Sequence, residues 1–335
     1  MTDPIRQDIR DSLERMGFGH GPFSIHALAG GVSCDVFAVD LPGERICVKR
    51  ALPKLRVAAD WRAPPERART EVGWLKLVAH IDPKLAPRVV AEDPDGCAFA
   101  MEYLPPEQYP LWKSLLASGR VETEFAAAVG RALARIHAAT AGREDIARAF
   151  DNGAQFDALR IDPYFRSAAE RNRDVAEQIS EIADALGSAR IALMQGDISP
   201  KNILCGPEGP VFLDAETASY GDPAFDLAFC LNHLLLKGAW RRRHRERFAR
   251  AFAALRAAYL GETGWEPPER LDARAGRLLA ALLLARVDGK SPVEYLTRDA
   301  DKSFVRDWAK AFLRDPSLRP LEIVARWTAA LGQRA

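Results

Sequence analysis

Three oxygen-bearing side chains, Asp197, Asn202 and Asp214, stand in Gln195-Gly196-Asp197-Ile198-Ser199-Pro200-Lys201-Asn202-Ile203-Leu204 and, after a short turn, in Phe212-Leu213-Asp214-Ala215-Glu216. Carboxylate and amide oxygens are the ligands a hard cation such as magnesium takes. In an Asp-x-x-x-x-Asn loop the acid can orient a hydroxyl and accept its proton while the amide holds the metal; an acid closing the next apolar strand supplies a second ligand. The chemistry open to such a set is phosphoryl transfer. Positioning and charge neutralisation carry most of that reaction, so Asp197 need only be a well-placed acceptor. An isolated Asp-x-x-x-x-Asn more often caps turns, and the reading therefore depends on partners elsewhere in the chain.

Those partners lie upstream. Ile46-Cys47-Val48-Lys49 puts a lysine on the third of three strand-like runs, the pattern of the kinase strand lysine that pairs nucleotide phosphates. A helix carrying Glu71 follows, and Glu71 is the first candidate to hold the Lys49 ammonium, with Glu66 at the helix start as the second.

The elements that must position these residues follow from periodicity and turn chemistry. Ile5 to Met16 has helical spacing, and Phe23 to Leu28, Val32 to Val39 and Arg45 to Leu52 read as an antiparallel meander broken at Gly30-Gly31 and Pro42-Gly43. Pro64-Pro65 opens a helix through Val78, and two further strands, Arg88 to Glu92 and Cys97 to Tyr103, flank the Pro94-Asp95-Gly96 turn. Pro105-Pro106 marks the boundary between an N-lobe of residues 1–103 and a C-lobe of residues 104–335. Helices are expected over Glu122 to Thr140, over Pro163 to Leu186 and after residue 225, with short strands and tight loops between Ile191 and Leu213.

On these residues the chain resembles the aminoglycoside phosphotransferase and choline kinase-like family, small-molecule relatives of the protein kinases, over nearly its full length. The strongest piece runs from Gly196-Asp197 through Asn202 and Asp214 to Gly221-Asp222-Pro223-Ala224-Phe225-Asp226-Leu227-Ala228, which is similar to the family's Gly-Asp-Pro-x-x-Asp-Leu-Ala signature. The resemblance implies an α+β, bilobal protein kinase-like fold with a sheet-rich N-lobe and a mainly helical C-lobe. It implies MgATP as phosphoryl donor and a hydroxyl of a small molecule as acceptor. It further implies Asp197 as the catalytic acidic residue, Asn202 and Asp214 as magnesium ligands, Lys49 as the phosphate contact oriented by Glu71, and Asp226 as a brace of the loop. Met101-Glu102-Tyr103-Leu104 resembles the hinge whose backbone, at Glu102 and Leu104, meets the adenine. The first turn, Gly30-Gly31-Val32-Ser33, departs from G-x-G-x-x-G; backbone amides at Gly31 and the Ser33 hydroxyl can cradle phosphate there. Gln195 stands where the family usually has histidine, and its amide offers both a donor and an acceptor for the same bracing. A catalytically weak nucleotide-binding pseudokinase and an aminoglycoside or choline-type amino-alcohol kinase are the alternatives.

Composition excludes other classes. A net charge of +1 gives no field to draw the 335-residue chain onto nucleic acid or an anionic membrane. Five scattered cysteines without C-x-x-C spacing argue against a disulfide framework or zinc site and favour a reducing cytoplasm. The amino terminus has no apolar signal region, and the run Leu278 to Ala285 is too short to span a membrane and reads as a buried helix. Arg241 to Arg245 reads as a solvated basic face, and Ser291-Pro292-Val293-Glu294 as a capping box opening a helix. A monomer or homodimer is expected. The segments that could build the acceptor site offer Arg160, Tyr164, Asn232, His233, Lys237 and Arg286, with more cations than carboxylates, so a neutral or anionic polyol, sugar or hydroxy acid is the expected acceptor.

Overall fold

The computed structural model describes residues 4–19, 23–28, 33–54, 56 and 63–334. The chain divides into two compact units, residues 1–109 with 211–216 and residues 110–210 with 217–335.

In the first unit, β1 (Ser24–Ala27), β2 (Cys34–Leu41), β3 (Glu44–Ala51), β4 (Val89–Asp93) and β5 (Ala98–Glu102) form an antiparallel sheet in the order β1-β2-β3-β5-β4. Strand side chains alternate between faces. Ile46 and Val48 of β3 therefore join Phe37, Val39 and Ala100 in an apolar cluster, completed by Ile9 and Leu13 of the Pro4–Arg15 helix. The alternate positions of β3 include Lys49, whose ammonium meets Glu71 of the Arg67–Ile81 helix. That helix buries Trp74, Leu75 and Val78, and the Trp74 ring stands edge-on to Phe212 at 6.5 Å. Each such fully buried large apolar side chain contributes about 1.5–3 kcal/mol.

The second unit is mainly helical. The Thr123–Thr140 helix lies along the Arg245–Gly261 helix, with Gly130 so close to the Leu255 carbonyl that an added Cβ would collide with it. The Ala224–Trp240 and Pro268–Asp288 helices are buried over most of their lengths, and the run Leu278 to Ala285 lies inside the latter. A short antiparallel pair, Ala192–Met194 with Ser219–Gly221, flanks the loop that contains Asp197. Among the described residues no helix is long and apolar enough to cross a membrane.

Two expectations are corrected. The segment expected as one helix over Pro163 to Leu186 begins earlier and is broken, with a π-helical stretch Asp157–Arg166, then Ser167–Arg171, then Ala176–Ser188. Pro163 has no N–H for an ordinary helical ladder, and the Asn172 amide leaves the helix to donate to the Ala168 carbonyl and the Asp288 carboxylate. Ser291-Pro292-Val293-Glu294 opens no helix; the next is Asp299–Leu313. The Ser291 carbonyl and hydroxyl instead accept from the Arg286 guanidinium, and the Val293 N–H donates to the Arg286 carbonyl at 2.9 Å.

Candidate active site

Lys49 sits mid-strand in β3, opposite Val36 of β2 and Phe99 of β5. Its buried ammonium lies 2.7–2.8 Å from the Glu71 carboxylate and 2.5 Å from Asp214 Oδ1. Of the two acids considered for Lys49, Glu71 is the one that pairs; Glu66 stands at the helix N-terminus. Burial pulls the Lys49 pKa down, but the negative charges around it, Asp214 foremost, outweigh burial and hold the amine protonated. Burial also pushes the Glu71 carboxyl up against the opposing pull of Lys49.

Asp214 has φ +64°, a left-handed conformation that aspartate tolerates better than most residues and that concentrates at functional sites. The approach to this bend is anchored, since the Phe212 N–H donates to the Leu85 carbonyl at 2.8 Å. Two residues beyond it, Glu216 accepts from Arg67 Nε at 2.7 Å. The same buried guanidinium donates to the carbonyls of Ser33, Leu52, Ala63 and Pro64 at 2.6–3.1 Å, tying the start of β2, the end of β3 and the helix entry to one point. Cys34, Asp214 and Glu216 offer ligand atoms within 4.8 Å of one another. Burial pushes the Cys34 thiol up to about 12, so it stays protonated and leaves only the carboxylates suited to a hard cation.

Ser33 is buried, its hydroxyl 3.6 Å from Cys34 Sγ. Glu102 ends β5 with its N–H donating to the Arg88 carbonyl, and Leu104 follows, half-buried. Gly31 lies outside the described residues.

In the second unit the loop Gln195 to Asn202 is held from three sides. Asp226, fully buried in the first turn of the Ala224–Trp240 helix, accepts from the N–H groups of Gln195 and Gly196 at 2.7 and 2.9 Å. The Gln195 side-chain carbonyl accepts from the Asp197 N–H at 2.6 Å. Gly196 has φ +81°, and a Cβ there would lie 2.7 Å from the Thr217 carbonyl, so the position needs glycine on both counts. Asp197 Oδ2 receives both Arg160 Nη2 at 3.1 Å and Lys201 Nζ at 3.0 Å. Asn202 donates through Nδ2 to the Asp197 carbonyl at 3.0 Å, and that bond leaves Oδ1 as the oxygen a cation would take. The Asn202 amide oxygen and the Asp214 carboxylate are each of a donor type that magnesium takes.

Residues 24–268 match the phosphotransferase enzyme family. The chain belongs to that family. Among relatives of this phosphotransferase-family chain, the methylthioribose kinase of Escherichia coli O45:K1 (strain S88 / ExPEC) is 26% identical over 235 residues, 60% of this chain and 54% of the relative. Methylthioribose kinase 2 of Oryza sativa subsp. japonica is 22% identical over 66% of this chain and 58% of its own. The chain thus spans a little over half the length of these relatives. Of solved structures, the amicoumacin kinase hAmiN in complex with AMP-PNP, Ca2+ and Ami superposes with a TM-score of 0.62 at 12% identity, covering 97% of this chain and 100% of the other. A choline/ethanolamine kinase family protein from Mesorhizobium loti gives 0.55 at 19% identity, with 98% and 99% covered. At those identities the likeness establishes the fold, which is the α+β protein kinase-like one.

Two residues of this phosphotransferase-family chain hold places that the sequence did not give them: Arg160 was expected only as a side chain that could line the acceptor site, and Arg67 carried no readable signal. Arg160 lies far upstream of Asp197 on a stretch whose helical period Pro163 disguises, and it donates to the Gly196 carbonyl at 2.6 Å as well as pairing with Asp197. Arg67 looks in sequence like any first-turn arginine. Lys201 was within reach, since it stands four residues after Asp197. A cavity of about 270 Å³ lined by Ile182, Ala280 and Phe312 contains none of these residues.

Proposed function

We propose that the protein is an ATP-dependent phosphotransferase that moves the γ-phosphoryl group of MgATP to a hydroxyl of a small molecule. The observation that carries this reading is the buried Lys49 ammonium between Glu71 and Asp214, which brings together three residues distant in sequence. A lysine so paired is kept charged and aimed, as a phosphate contact must be.

In the proposed reaction Asp197 accepts a hydrogen bond from the acceptor hydroxyl through Oδ1 and takes its proton as the oxygen attacks the γ-phosphorus. The new O–P bond forms as the bond to the bridging oxygen of ADP breaks, and the proton passes from Asp197 to solvent after release. Arg160 and Lys201 pair with the carboxylate through Oδ2 and hold the side chain in place. Magnesium, held by Asn202 and Asp214, would neutralise charge on the phosphates. Ser33 and Gly31 would meet the phosphates, and the backbone at Glu102 and Leu104 the adenine. The five free cysteines support a reducing compartment, the cytoplasm.

The test is ADP release measured with a panel of hydroxyl acceptors over a magnesium titration. Magnesium-dependent release that rises with an acceptor is expected. Nucleotide-induced thermal stabilisation without turnover on any acceptor would replace the proposal with a nucleotide-binding role.

A further inference from the structure

Within the second unit, contacts lead away from Asp197 along a row of side chains that the proposed phosphoryl transfer does not use. Arg160, paired with Asp197, lies 5.7 Å from the Tyr164 ring, one π-helical turn on. Arg286 of the Pro268–Asp288 helix covers the same ring at 5.4 Å and donates to its hydroxyl at 3.1 Å. Tyr164 packs on Phe229 at 5.8 Å and Phe229 on His233 at 5.2 Å. One turn further along the Ala224–Trp240 helix is Lys237, its ammonium 4.6 Å from the Tyr295 ring and 5.7 Å from Trp240.

The charges on this row do not balance. Lys237 is 2% exposed and Arg286 8%, yet neither forms an ion pair with any carboxylate among the described residues. The Lys237 ammonium makes no hydrogen bond among the described residues, and Arg286 Nε is buried without a partner. The nearby acid, Glu294, is taken by Lys113 at 2.6 Å. Burial first, and then Arg286, Lys237, Lys201 and Lys113, hold His233 neutral, so the imidazole records a cationic field from four side chains. Aromatic faces soften a buried ammonium but return less than the burial of an unpaired charge costs. A pair of buried cations without acids has the form of a receptor whose anion arrives with a ligand.

We propose that the acceptor is an anionic hydroxy compound, with its hydroxyl at Asp197 and its carboxylate, phosphate ester or sulfonate held by Lys237 and Arg286. This rests on the reading of Asp197 as the residue that receives the acceptor hydroxyl. Tyr164 and Phe229 form the wall between the two ends, and Arg286, fixed by Tyr164 and Ser291 through Nη1, presents its remaining donors. A polycationic or quaternary ammonium acceptor is disfavoured by the same charges.

The experiment uses the full chain with ATP and magnesium and compares three arms: hydroxy acids (glycerate, gluconate), phosphorylated alcohols (glycerol 3-phosphate), and uncharged or cationic counterparts (glycerol, glyceramide, choline). An anionic arm is expected to exceed its uncharged counterpart at least 30-fold in kcat/KM, and the better anionic arm identifies the head group. Lys237→Met and Arg286→Gln are expected to raise the acceptor KM about 10- to 100-fold while the ATP KM holds. Lys237→Arg is expected to recover part of the loss. In parallel, thermal shift with glycerate and inorganic phosphate is expected to show stabilisation that Lys237→Met abolishes in a protein that still melts cooperatively. Best turnover of choline or glycerol, unaffected by Lys237→Met, overturns the anionic acceptor and leaves phosphoryl transfer standing. No turnover on any arm together with Lys237-dependent stabilisation by anions removes the phosphotransferase reading and keeps the anion site. Absence of any Lys237-dependent anion effect, in turnover or in melting, overturns the site itself.

Discussion

Arg160 grips the Asp197 loop twice, by Nη2 on the carboxylate at 3.1 Å and by Nε on the Gly196 carbonyl at 2.6 Å. A forked, planar donor can fix a carboxylate and the adjacent peptide together, and a lysine cannot. Arg160→Lys is therefore expected to lower kcat about 10-fold with nucleotide binding intact, and Asp197→Ala to lower it about 100-fold or more. Steady-state kinetics beside nucleotide titrations check both; unchanged turnover in Asp197→Ala would remove that residue from its role.

Gln195 holds Asp197 through its side-chain carbonyl, which accepts the Asp197 N–H at 2.6 Å in a buried setting. Replacing it with leucine leaves that N–H without an acceptor, a loss of about 1–3 kcal/mol. Gln195→Leu is expected to melt earlier and turn over at least 10-fold more slowly. Gln195→His, which restores an acceptor, should stay within about fivefold of the parent. Chemical denaturation and kinetics on the pair distinguish a brace from a passive filler.

At Asp214 the backbone is left-handed, and asparagine accepts that conformation as readily as aspartate. Asp214→Asn should fold normally but lose a charged metal ligand and the Lys49 ion pair. The expected outcome is a rise of 10-fold or more in the magnesium concentration needed for nucleotide binding. Normal magnesium dependence would refute the ligand assignment.

Lys237 gives the pH test. Burial first, then Lys113 and Arg241, lower its pKa to about 8, with Glu294 opposing. An amine whose folded pKa is depressed costs stability wherever the folded protein must carry the proton. The penalty is thus full below pH 8 and is relieved as pH rises from about 8 toward the unfolded value near 10.5. Two and a half pKa units correspond to about 3 kcal/mol. Lys237→Met should therefore melt higher than the parent at pH 7, with the gap narrowing by pH 10. Acceptor KM should rise in the parent as pH climbs through 8 and stay flat in the variant. Melts and KM profiles across pH 6–10 measure both.

The first-unit sheet was readable because each strand carries β-branched or aromatic residues bounded by Gly or Pro turns, and β3 places Lys49 where that pattern requires. Glu71 was readable as a partner because a helix after the lysine strand offers few acids. Less was legible where tertiary partners decide the local form. Pro163 and Asn172 break a segment whose apolar spacing is helical, and the breaks are set by Asp288 and Ala168. Ser291 would cap a helix on its own, but Arg286 takes its oxygens first. The Arg160 grip and the uncompensated Lys237 depend on which distant side chains meet, and neither spacing nor composition encodes that.

The Ala224–Trp240 helix carries Asp226 in its first turn and Lys237 in its last, about 16 Å apart along one axis. One end braces the peptide groups beside Asp197 and the other carries the ammonium, so sliding the rod to suit a different molecule would disturb the reacting end. On the proposed anionic-acceptor reading, a change of acceptor is therefore expected to need exchange of the side chains at 237 and 286, with the helix left in place. The same two positions are where a designer would begin retargeting the proposed anion site.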